Sequence, residues 1–124
     1  MKETHPIDMR LLESEAETSE HGESYKVLER SRNYRVGVGA RLGPSDRLSY
    51  FLEVVIILCP RSPEVDTAHL EKELMLLKEL QERGYSLSCE DDGSISCEAS
   101  IASRNLDGEY EVVRSTVARF LSRD

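Results

Sequence analysis

Tryptophan is absent from this chain, phenylalanine occurs twice, and all aromatic residues together make up 6% of it. An aromatic ligand cage or a base-stacking platform is therefore poorly supplied. Side-chain amides are as scarce, limited to Asn33, Asn105 and Gln81, a composition compatible with a thermophilic source. Cysteine is restricted to Cys59, Cys89 and Cys97. An odd count excludes a fully paired disulfide framework and fits free thiols in a reducing compartment. Positive charge is the minority, 16 Lys and Arg against 24 Asp and Glu, for a formal net charge of −8. Such a chain repels nucleic acid and anionic membrane at long range. Long hydrophobic runs are missing too. The longest, Val54 to Cys59, is far short of the roughly 20 residues that span a bilayer. The opening residues hold no apolar signal core. These absences predict a cytoplasmic protein that does not enter membranes and needs no cofactor.

What remains is 124 residues, 39% hydrophobic and 32% charged, enough to bury a core without metal or disulfide staples. Residues 1–24 carry seven acids against Lys2 and Arg10. The stretch Glu13 to Glu20 offers almost no apolar side chain to offset its ordering entropy. Residues 1–23 are therefore expected to form an acidic mobile tail, with a short strand possible where Ile7, Met9 and Leu11 alternate. The single domain is expected to be 24–124, and deletion of residues 1–22 is expected to leave it folded.

The rest of the chain is strongly patterned. Tyr25, Val27 and Leu28 fit a first strand ended by a turn at Ser31-Arg32-Asn33. Tyr34, Val36, Val38, Ala40 and Leu42 point one way along the next strand. Gly37 and Gly39 occupy its other face, where glycine marks a bulge or a close approach of the backbone. Gly43-Pro44-Ser45-Asp46 is a turn, and Leu48 to Cys59 a long strand, apolar on both faces in its second half and so central or doubly covered. Ser62-Pro63-Glu64 or Asp66-Thr67 starts a helix. Its apolar stripe is Leu70, Leu74, Leu77 and Gln81, widened by Leu76 and Leu80, and Gly84 is its left-handed terminator. Residues 85–102 read as a hairpin with a three-residue loop, Asp91-Asp92-Gly93. That loop sets Cys89 opposite Ile95 and Leu87 opposite Cys97. A last helix follows, with Leu106, Tyr110, Val113, Val117 and Phe120 at helical spacing. The expected fold is α+β: an antiparallel sheet of four to five strands in ββαββα order, with two helices packed on one face.

Motifs that carry chemistry are few. Cys89 and Cys97 fall on one face of the hairpin and could form a thiol or metal pair, but no close CxxC pair accompanies them, and both are expected to be small, inward core residues. His5, His21 and His69 have no ligand spacing. Glu90-Asp91-Asp92-Gly93-Ser94 lacks the alternating acids and distal Glu of a calcium loop. Gly37-Val38-Gly39 lies inside a strand, unlike a dinucleotide fingerprint. Charge is segregated: between residues 26 and 47 six basic residues face only Glu29 and Asp46. Arg30, Arg32, Arg35 and Arg41 are the candidate binding residues for a phosphate ligand or a nucleic acid. With both helices on one face, Phe51, Val55 and Ile57, or their opposites, would be left facing outward, an exposed apolar patch that calls for a second protein surface. The functional expectation is a non-enzymatic interaction or adaptor module, most simply a homodimer.

Overall fold

A computed structural model describes residues 7–45, 47–57 and 67–121 of the chain. Its elements run α1 (Met9–Thr18), β1 (Glu23–Arg30), β2 (Tyr34–Leu42), β3 (Leu48–Ile56), α2 (Thr67–Glu82), β4 (Ser86–Cys89), β5 (Ile95–Ile101) and, after a single 3-10 turn, α3 (Leu106–Phe120). The five strands form one antiparallel sheet in the order β1-β2-β3-β5-β4. The expected α+β class, the antiparallel sheet and the helices on one face all hold. Residues 58–66, with Cys59, Pro60 and the Ser62-Pro63-Glu64 helix start, lie outside the described residues.

Register fixes the two faces of the sheet. Tyr34, Val36, Val38 and Ala40 pair across β2 and β3 with Ile56, Val54, Leu52 and Tyr50, and Cys97 opposes Val54 from β5. All of these are buried in one cluster that also holds Leu12 and Ala16 of α1, Leu76, Leu77 and Leu80 of α2, and Leu106, Tyr110, Val113 and Val117 of α3. Three helices therefore cover one face of the sheet. β3 lies third of five, as its doubly apolar sequence requires. The hairpin has the anticipated register, Leu87 opposite Cys97 and Cys89 opposite Ile95, with Gly93 at φ +89°. α2 ends in paired reverse bonds: the Tyr85 N–H donates to the Leu80 carbonyl and the Gly84 N–H to that of Gln81, both at 3.0 Å. Gly84 has φ +100°, the left-handed geometry of that helix end.

Two elements depart from expectation. Ile7, Met9 and Leu11 do not form a strand, and residues 9–18 of the expected tail form α1. Asp8 caps it, its carboxylate accepting from the Leu11 N–H at 3.1 Å. Leu12 and Ala16, one turn apart, are its buried residues, and the carboxylate of Glu13 accepts from the Tyr50 hydroxyl. The Ser24 hydroxyl donates to the Leu12 carbonyl at 2.7 Å. Only two positions of the helix are fully apolar and buried, too few to stand out as a 3.6-residue period. In α2 the buried seam is Glu73, Leu76, Leu77 and Leu80, while Leu70 and Leu74 are exposed. The seam is rotated from the expected stripe because α3 packs along one side of the helix.

Candidate interaction surfaces

No described helix covers the second sheet face, and its own side chains shield part of it. Tyr25 of β1 and Phe51 of β3 stack there, with ring centroids 6.4 Å apart and planes 19° from parallel. They lie flat because β2 presents only hydrogen beneath them. A Cβ on Gly37 would come 2.1 Å from the Tyr25 hydroxyl, and one on Gly39 would come 2.3 Å from the Phe51 ring. Both contacts are far inside van der Waals range, so the close approach that glycine signalled in the sequence is a seat for two aromatic rings. Phe51 is left 5% exposed and Val55 4% exposed. Phe51 and Val55, rather than their opposites, thus lie on the face away from the described helices, but both are already covered within the chain, and Ile57, just past β3, is half-buried.

The four candidate arginines divide. Arg41 is neutralised: it meets Glu23 at 2.7 Å and Glu98 at 3.3 Å, and its guanidinium lies 4.5 Å from the centre of the Phe51 ring. It braces the aromatic seat, a contact of roughly 0.5–1 kcal/mol at an exposed site. Arg30, Arg32 and Arg35 gather instead at the opposite end of β2, around the β1–β2 turn.

The tyrosines share one arrangement. Tyr34 donates to Glu29 at 2.8 Å, Tyr85 donates to Glu109 at 2.9 Å, and Tyr50 donates to Glu13. Each joins separate elements, and the glutamates are tied further: Glu29 faces Arg114 at 3.5 Å and Glu109 faces Arg83 at 2.9 Å. Burial first, and the neighbouring carboxylate second, raise all three phenols, with Tyr50 pushed up to about 12. Tyr25 is also pushed up to about 12, by burial and then Glu53. Tyr110 is raised by burial and by the charge of Glu29. Sequence gave no sign of these partners, which lie 5 to 37 residues apart.

Cys97 is buried, which pushes its thiol up to about 12. Cys89, expected inward, is exposed. It has the predicted facing, but β4 is an edge strand and no described element covers its end. The two are therefore unlike in environment. Among the described residues no group of three or more His, Cys, Asp or Glu side chains is placed to hold a metal. His21 is exposed; His5, Cys59 and the side chain of His69 lie outside the described residues.

Exposed apolar side chains concentrate on α2. Leu70 is 39% exposed, Leu74 56% and Met75 56%, and Leu87 on β4 is exposed as well. Glu79, which meets Arg119 of α3 at 3.6 Å, marks the side of α2 turned to α3. At 3.6 residues per turn, Leu70 and Leu74 fall on the flank away from α3, and Met75 points outward; β4 is the edge strand at this end of the described sheet. A second apolar feature lies at the other sheet edge: a groove of about 340 Å³ between α1 and β1, lined in part by Ile7, Leu11, Leu12, Val27 and Leu28. No described helix is long and apolar enough to cross a membrane. Against known proteins, no family model, no curated protein and no solved structure matches this chain.

Proposed function

We propose that this protein is a non-enzymatic interaction module that pairs with a second copy of itself through the α2–β4 flank. The observation that carries the reading is the exposure of Leu70 and Leu74 on one side of α2, the helix next to β4, a strand edge that no described strand pairs. Apolar side chains grouped in this way mark contact surfaces more often than single exposed ones do. An open edge carries a row of free backbone N–H and C=O groups that invite another strand. An antiparallel pairing of β4 with its own copy is self-complementary, the condition for a two-fold interface. It would run the two sheets together and bring the two α2 helices side by side. Hydrogen exchange at several protein concentrations tests it. Peptides covering β4 and α2 should gain protection as concentration rises, while those covering β1 stay unchanged. Concentration-independent exchange at β4 would overturn the reading.

The groove beside β1 favours an adaptor role in addition. β1 is the other edge strand of the described sheet, and an extended partner segment laid along it could place an apolar side chain between α1 and the strand. Leu11→Asp should abolish such capture without changing the oligomeric state.

A further inference from the structure

The β1–β2 hairpin carries a β-bulge that sets two arginines opposite each other. From Glu23 to Val27 the strands pair in one register, with Val27 opposite Gly37. A β-bulge then shifts it, so that Glu29 opposes Val36 and Arg30 opposes Arg35. Without the extra residue, Glu29 would face Arg35, an opposite-charge pair. The bulge turns Glu29 inward, where it accepts from Tyr34 and meets Arg114, and sets two arginines directly across from one another. Like charges so placed are destabilising, and bulges re-aim side chains at functional positions.

Arg32 stands in the turn between them, so three arginines stand at one end of the sheet. No ion pair reaches Arg30, Arg32 or Arg35 among the described residues. The Nε of Arg35 is buried without a hydrogen-bond acceptor. Arg35 and Glu53 both act on the Tyr25 hydroxyl, and Arg35 also acts on Asp92. The Asp92 carboxyl is held below its usual range first by Ser94 and more weakly by Arg35.

We propose that Arg30, Arg32 and Arg35 form a binding site for a compact phosphate dianion. Guanidinium forks match phosphate oxygens in pairs, and a dianion between Arg30 and Arg35 relieves their repulsion. The ligand is small, not a polynucleotide, because the same sheet face carries Glu23, Glu53 and Glu98 and the whole chain is at −8, which repels an extended polyanion.

Thermal unfolding in inorganic phosphate against chloride at equal ionic strength tests the site. Phosphate should raise the melting temperature of the native protein. Arg30→Glu restores an opposite-charge pair with Arg35, so it should raise the melting temperature in chloride and abolish the phosphate increment. Arg41→Gln should keep the increment. Equal melting in phosphate and chloride, or an increment that survives Arg30→Glu, would overturn the proposal. So would a single-stranded oligonucleotide that binds more tightly than phosphate at physiological salt.

Discussion

At the scale of single residues, two glycines and five tyrosines carry the most information. Gly39 is hemmed by the Phe51 ring and by the Ser24 carbonyl, 2.6 Å from where a Cβ would stand. Neither can yield easily, since Phe51 is buried and the carbonyl belongs to β1. Gly39→Ala should therefore cost roughly 1–3 kcal/mol by overpacking. Gly37→Ala should cost less, because its clash is with the tip of the half-exposed Tyr25, which can swing away. Chemical denaturation of the two variants checks the order. The tyrosines make a second prediction. All five are raised above the ordinary phenol value of 10.0. A group whose folded pKa is raised contributes stability that is complete below its unfolded pKa and is lost as pH climbs through the folded value. Stability should therefore hold to about pH 10 and fall above it. Absorbance at 295 nm should show little tyrosinate at pH 10 and a steep rise that coincides with unfolding. A half-maximal signal near pH 10 in the folded protein would contradict the hydroxyl–carboxylate pairs.

At the scale of elements, α1 changes what truncation should do. The acidic stretch suggests a dispensable tail, yet Leu12 and Ala16 sit in the main core and Glu13 reaches Tyr50. Leu12→Ala should destabilise by about 2–5 kcal/mol, and deletion of residues 1–18 should broaden or abolish cooperative unfolding; a deletion that unfolds as sharply as the full chain would show α1 to be peripheral. Legibility in the sequence tracked the strength of each local signal. β2 was legible because Tyr34 to Leu42 alternates without a break, α2's end because only Gly84 suits a left-handed position, and the β4–β5 register because Gly93 dictates the loop. α1 was not, since two buried residues make no visible period and its stability comes from docking on β1 and β2. The rotation of α2 was hidden for the related reason that leucine occupies both its buried and its exposed flanks, and only the position of α3 decides between them. The arginine cluster was half legible. Sequence supplied its members, but the bulge that separates Arg30 and Arg35 from Glu29, and the acids that take Arg41 out of the set, are properties of pairing.

At the scale of the whole molecule, the distribution of cover is what directs the proposed second copy to one site. Three helices shield one sheet face, and an aromatic pair seated on glycine shields part of the other, so the expected contact at Phe51 and Val55 has no exposed surface to offer. Among the described residues, the exposed apolar side chains gather most on α2, at Leu70, Leu74 and Met75, with Leu87 on β4. Sedimentation equilibrium over a wide concentration range, on the native chain and on a Leu70→Glu, Leu74→Glu double variant, tests this most directly. Both positions are exposed, so the variant should stay folded. The native chain should sediment as a dimer at high micromolar concentration, and the variant should associate at least tenfold more weakly, a loss of about 1.4 kcal/mol or more. A native chain that remains monomeric throughout, or a variant that dimerises as tightly as the native chain, would contradict the account.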